Sequence, residues 1–357
     1  MKKVSLGAGQ ARDTAYDWLR LIATLFVVIG HSSYLSIHSH LGGVDYILPE
    51  DIHPVYYSLL FRIIRKIVGF VSSFHMPLFF MLSGAVLALK DYRTFDTFAE
   101  AKFKRLIIPY FLYGLGFMLP VKCLGNFYNA DNFAEIIKSF LKVEGGESGH
   151  LWFLPALFWC MMVFEVMRGI FLRLNIQSVY LLILGGGGGG ISYLCKYMTS
   201  DMFGLKTGLG YMLWFAVGYA FEARRKNYAS WSTKRVALSF AAMLAICAAN
   251  TKFNFAGRVN ILCGSLCTYL LSVILARTFP KIIDTSAWKV IRRNLFAVYL
   301  FHDPLEYVVL RVFMDGHCLT SAAGCYAYLL SRTIGVIVLS ILLGEITAMI
   351  GRKVNVC

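Results

Sequence analysis

Arg20 and His31 stand eleven residues apart in the apolar segment YDWLRLIATLFVVIGH, residues 16–31. At 100° per residue that spacing leaves them about 20° apart on one helix face and about 16 Å apart along its axis. A cation and an imidazole inside a membrane-length apolar helix are costly and by default mark a functional site. Arg20 also has a plainer reading: it snorkels to the headgroups, with Asp17 as an i,i+3 partner. Three further histidines fall at related depths on other helices. His75 lies in SSFHMPLFFMLSG, His150 beside Trp152 in GHLWFLP, and His302 in NLFAVYLFHDPLEYVV, where Asp303 and Glu306 follow and offer a His–carboxylate pair. Four of the eight histidines placed in this way point to a shared polar cavity. A metal site is the competing account, since His and carboxylate are ligands, but no HxxxH or HExxH spacing supports it. Lys102, Lys104 and Arg105 precede another apolar run. They read either as topology-setting charge or as a phosphate clamp for an anionic cofactor. No Walker or Rossmann glycine pattern accompanies them, so nucleotide hydrolysis and hydride transfer have no support.

These side chains need a frame. Of 357 residues, 58% are hydrophobic and only 15% charged, against about 25% charged in a soluble domain. The composition predicts an all-α polytopic membrane protein with helices around a polar cavity. About 20 apolar residues cross a bilayer, and candidate runs fall at 15–37, 68–89, 104–124, 151–173, 178–196, 205–222, 236–250, 259–279, 291–313 and 325–350. Residues 1–357 read as one integral membrane domain without a separate soluble part. The first run lacks a small-residue cleavage site and reads as a retained helix. Pro77 is expected to kink the second.

The net charge of +15 would suit nucleic acid, but the basic residues sit in short loops between apolar runs, which is the positive-inside pattern. No nucleic-acid partner is expected. Placing the N-terminus in the cytoplasm puts the basic loops 90–105, 222–235 and 277–293 on that side. Ten helices in a plasma membrane then return the C-terminus to the cytoplasm. Arg20 falls near the cytoplasmic end of the first helix and His31 in its outer half. The stretch NFAEIIKSFLK (132–142) is amphipathic and suits a membrane surface. The run Gly185–Gly190 reads as a tight packing surface, with an unwound groove as the other reading. The nine cysteines are scattered without CxxC spacing and read as small apolar helix residues. Cys318 and Cys325 share one external loop, as a pair or as free thiols.

Taken together, YDWLRLIATLFVVIGH, SFHMPLFFMLSG, FKRLIIPY, GHLWFLP and VYLFHDPL resemble the acyltransferase-3 family of integral membrane O-acyltransferases. The likeness is to the sugar O-acetylase branch, similar to fucose 4-O-acetylases. It covers helices 1 to 4 and 9 in motif, and helices 5 to 8 mainly in hydropathy. The family's Arg and His on the first helix match Arg20 and His31, while its basic motif is less regular here, with Lys102, Lys104 and Arg105. The resemblance implies transfer of an acyl group, usually acetyl, from acyl-CoA to a hydroxyl of a carbohydrate or glycolipid, with no metal. Arg20, Lys102, Lys104 and Arg105 would hold the coenzyme A phosphates. His31 would act as general base on the sugar hydroxyl, or as a transient acyl carrier. His75, His150, Trp152, His302, Glu306 and Asn294 would line the acceptor side. A transporter or flippase for a lipid-linked sugar is the rival reading, and it would need no acyl donor.

Overall fold

The computed structural model describes residues 13–32, 36–45, 52–90, 92, 94–128, 132–144, 146–173, 188–225, 230–253, 257–314 and 318–354. Helix α1 is Thr14–Ser32, followed by a short antiparallel hairpin, β1 (Ser36–His38) and β2 (Gly43–Asp45). Next come α2 (Leu59–Ser72), α3 (His75–Ala88) and the long α4 (Phe95–Leu124). An amphipathic α5 (Phe133–Lys142) leads to α6 (Gly149–Arg173). The chain continues through α7 (188–194), α8 (Leu205–Gly210), α9 (Met212–Ala223), α10 (Thr233–Phe253), α11 (Gly257–Thr278) and α12 (Ser286–Met314). The last element, α13, joins Ala322–Leu330 to Val336–Val354 through a π turn at Ser331–Gly335.

The expected all-α membrane architecture is present. Among the described residues, Phe95–Leu124, Gly149–Arg173, Gly257–Thr278 and Ala322–Ile350 are long and apolar enough to cross a bilayer, and α2 with α3 makes a fifth such unit bent by 45°. Helices α1 and α12 have the length, 19 and 29 residues, but the polar residues discussed above lower their hydropathy. The first helix ends at Ser32, short of the expected residue 37, and Ser36–His38 form a strand instead. The bend in the second run lies at Ser73–Phe74, ahead of Pro77. Pro77 falls in the first turn of α3, where backbone N–H groups have no intrahelical partner anyway, so the proline starts a helix rather than kinking one.

Prolines shape α4 and α12 more consequentially. In α4, π turns at Phe103–Ile107 and Gly114–Met118 directly precede Ile108–Pro109 and Leu119–Pro120. A proline has no N–H for the carbonyl one turn back, and the wider i→i+5 turn absorbs the mismatch by holding an extra residue. In an unbroken helix Lys102 and Lys122 would sit about 200° apart. Two inserted residues remove about 200° of rotation and return both lysines to one face.

Glycine sets the closest helix contact. A methyl on Gly84 of α3 would lie 2.1 Å from the Phe215 carbonyl, and one on Gly218 of α9 would lie 1.9 Å from the Met81 carbonyl. The two backbones touch, as small residues allow in membranes. We expect Gly218→Ala to force α3 and α9 apart and to lower stability by about 1–3 kcal/mol. The measurement is the unfolding temperature in detergent, and an unchanged value would refute the contact. Gly188 packs in the same manner, its absent Cβ 3.2 Å from the Met212 carbonyl. The packing reading of the glycine run thus holds at Gly188, whereas a Cβ on Gly189 would lie 3.8 Å from Leu213 and one on Gly190 would meet nothing within 4 Å; Gly185 to Gly187 lie outside the described residues. Part of the apolar face of α5 is covered by protein, with Ile136 and Phe140 buried and Phe133 and Leu141 exposed: Phe140 stacks on Tyr110 of α4 at 4.6 Å, and the Tyr110 hydroxyl donates to the Phe140 carbonyl at 2.5 Å. Cys325 is buried as a free thiol, and the side chain of Cys318 lies outside the described residues.

Candidate active site

Two cavities are stacked along one polar axis, and the same helices line both. Helix α1 contributes Arg20 and Thr24 to the first and Val27 and His31 to the second, a single stripe at helical spacing. Helix α3 gives Ser83 and Val86 to the first, and His75 and Met76 to the second. Helix α4 gives Lys102 and Arg105 to one end and Lys122 to the other, the placement its two π turns produce. Tyr299 of α12 is the one described residue lining both, with its hydroxyl anchored on the His150 carbonyl at 2.7 Å.

The Arg20 cavity, about 190 Å³, is ringed by Arg20, Lys90, Lys102 and Arg105, and no Asp or Glu is among its described lining residues. Its deeper wall is apolar, with Phe153, Leu157 and Met161 of α6. The Lys102 ammonium is buried between the rings of Tyr92 and Phe98, 5.3 and 5.4 Å from their centroids. Burial, and then the charges of Arg105 and Arg20, lower the pKa of Lys90, which is what crowding cations together does. Arg20 also lies 3.7 Å from Asp17. A narrow apolar channel with a cationic mouth suits an elongated ligand with an anionic head. Lys104 does not belong to this ring. It is exposed and pairs with Glu100 at 2.6 Å, because two residues after Lys102 the helix has turned by about 200°.

The His31 cavity, about 310 Å³, is built differently. His31 Nδ1 lies 2.8 Å from Asp303 Oδ1, and His150 Nδ1 lies 3.2 Å from Asp303 Oδ2. A carboxylate accepts, so Nδ1 of His31 is the donor, and a neutral ring held in this way would carry its lone pair on Nε2, the tautomer a general base needs. His150 is fixed through its Nε2, 3.2 Å from the Leu300 carbonyl, while its Nδ1 lies close to Asp303 Oδ2 without hydrogen-bond geometry. That carbonyl is available because Pro304, four residues on, has no N–H to donate to it. His75 and Trp152 line the same cavity, His75 with its Nδ1 3.3 and 3.2 Å from the Val71 and Ser72 carbonyls. The hairpin covers the cavity with Ile37 and His38.

The remaining expected site residues lie elsewhere. His302 does not pair with Asp303, because neighbours on a helix point about 100° apart. Its Nδ1 donates to the Val298 and Tyr299 carbonyls at 3.0 and 2.8 Å. Its ring packs 4.9 Å from His31 and 4.8 Å from His150, and its Nε2 has no hydrogen-bond partner among the described residues. Glu306 is turned away from the cavity into an ion pair with Arg332 at 2.8 Å. Arg332 also donates to the Tyr328 hydroxyl at 2.5 Å and to the His31 carbonyl at 3.1 Å, so this pair braces the end of α1 and does not line the cavity. Asn294 is buried toward the opposite end of α12 and donates to the Val290 carbonyl at 2.9 Å and to Glu345. It ties α12 to α13 and lines neither cavity. Among the described residues no group of three His, Cys, Asp or Glu is arranged to hold a metal.

Fold and site together define a helical membrane protein with a cationic cavity at one end of a shared axis and a histidine–aspartate cluster at the other. The chain belongs to the acyltransferase-3 family, whose acyltransferase domain it matches over residues 13–344. No curated protein and no solved structure matches it.

Proposed function

We propose that this acyltransferase moves an acyl group, most simply acetyl, from acyl-CoA to a hydroxyl of a cell-envelope or exported carbohydrate or glycolipid. The observation that carries the reading is the pair of chemically distinct cavities meeting at Tyr299. Arg20, Lys90, Lys102 and Arg105 hold the donor's phosphates, and the apolar wall beyond them takes the pantetheine arm. Arg20 and His31 are about 16 Å apart along the axis, a distance a pantetheine arm spans once the Tyr299 side chain swings aside. In the His31 cavity, Nε2 takes the proton from the acceptor hydroxyl as its oxygen attacks the thioester carbon. Asp303 holds the imidazolium so formed, and the departing thiolate then receives that proton. His75, His150 and Trp152 contact the acceptor. The positive-inside pattern favours a plasma-membrane protein of ten spans, forming a single domain, with both termini and the Arg20 cavity on the cytoplasmic side.

The test is mass spectrometry of envelope glycans and glycolipids from cells with and without the chain. A mass increase of one acyl group on a glycan is expected, together with thiol release from acetyl-CoA in isolated membranes. Neither change would leave the transport reading in its place. Arg20→Ala is expected to raise the KM for acetyl-CoA about tenfold, the loss of one phosphate contact of roughly 1.5 kcal/mol, with kcat little changed. An unchanged donor KM would remove Arg20 from the clamp.

A further inference from the structure

Attack on a thioester gives a tetrahedral carbon whose former carbonyl oxygen carries a negative charge. A fixed donor aimed at that oxygen is usually the largest single contribution to rate. His31 and His150 both lie against Asp303. Among the described residues lining the His31 cavity, the one lysine or arginine is Lys122.

Lys122 is only 1% exposed, an extreme burial for an ammonium, which costs several kcal/mol to desolvate. Its position is built rather than incidental. Nζ lies 4.9 Å from the Phe127 ring centroid and 5.2 Å from that of Tyr307, and the carboxylates whose charge it feels are Asp303 and Glu147. Glu147 is itself held by the Leu41 N–H at 2.9 Å and the Ser139 hydroxyl at 2.8 Å. Gly149 leaves room for the ammonium. It has φ +49°, and a Cβ there would stand 3.0 Å from Lys122 Nζ and 3.3 Å from Asp303 Oδ2. Cation and carboxylate therefore flank one bare stretch of backbone, and both line the cavity that also holds His31 and His150.

We infer that Lys122 Nζ receives the charge of the acyl oxygen, which makes Lys122 a catalytic residue. The inference rests on the acyl-transfer reading above. The new bond joins the acceptor oxygen to the acyl carbon, the carbonyl π pair moves onto the acyl oxygen beside Nζ, and the hydroxyl proton moves to His31 Nε2. The oxygen's pair then re-forms the carbonyl, the C–S bond breaks, and the proton on His31 passes to the thiolate. Each charge created has a partner: imidazolium against Asp303, and oxyanion against Lys122.

The experiment uses the full-length protein in detergent or nanodiscs, acetyl-CoA as donor and methyl fucoside and methyl glucoside as acceptors. Lys122→Met is expected to lower kcat about 10²–10³-fold, with both KM values within about threefold of wild type. Lys122→Gln, which keeps a polar head without the charge, is expected to lose kcat similarly. It decides the matter if the Met variant does not fold. A folded variant turning over within about tenfold of wild type, or one whose loss lies in acceptor KM alone, overturns the assignment. If wild-type protein neither acetylates a glycoside nor releases thiol, the acyl-transfer reading has failed and takes Lys122's role with it.

Discussion

Replacing His31 by alanine is expected to reduce acyl transfer by about 10²–10⁴-fold while leaving the protein folded and inserted. The substitution removes the imidazole that Asp303 orients. It keeps the residue-31 backbone carbonyl, which is what Arg332 binds, so the end of α1 retains its anchor. Asp303→Asn should cost a comparable factor by a different route. The amide cannot act as the carboxylate partner to both His31 and His150, so the His31 tautomer and the charge that stabilises its imidazolium are both lost. Thiol release from acetyl-CoA, measured alongside the unfolding temperature, separates chemistry from folding. Normal turnover in a folded His31→Ala protein would end its role as base.

The largest effect on stability is expected at Arg332. Its side chain is fully buried with Glu306, and removing one member of such a pair strands a charge, at about 3–5 kcal/mol. Arg332→Met should therefore lower the unfolding temperature in detergent and the yield of folded protein. The double change Arg332→Met with Glu306→Leu should recover most of the loss, since an apolar replacement of similar volume is often neutral. A double variant no more stable than the single one would show that the pair's other contacts, to Tyr328 and to the His31 carbonyl, carry the stability instead.

These two sites illustrate what could be read from the chain. Helical periodicity within one segment was enough to place Arg20 and His31 on a common face. Depth alone brought His75, His150 and Trp152 to the right layer, and all three line the His31 cavity. Depth says nothing of azimuth: His302 and Glu306 differ from the lining residues in azimuth, while Asn294 lies about 12 Å along α12 from His302. His302 faces its own helix backbone, Glu306 faces α13 and Asn294 faces Glu345. The neighbour of His302, Asp303, does the pairing with histidine instead. Lys122 was hidden for a further reason: its alignment with Lys102 depends on two π turns, visible in sequence only as prolines after each. Arg332 also sits in a π turn, and its importance depends on partners from two distant helices. The fold class followed from composition, because burying so much apolar surface in water-free surroundings leaves helices as the simple solution.

The position of Tyr299 also bears on how the cell tolerates this protein. Polar hollows entering one helix bundle from either end would, if joined, form a water wire able to dissipate an electrochemical gradient. A phenol ring lining both, tethered by its hydroxyl, is placed to act as an insulating plug. On the proposed function, a pantetheine arm that displaced the plug would fill the space it left and keep the barrier to ions intact.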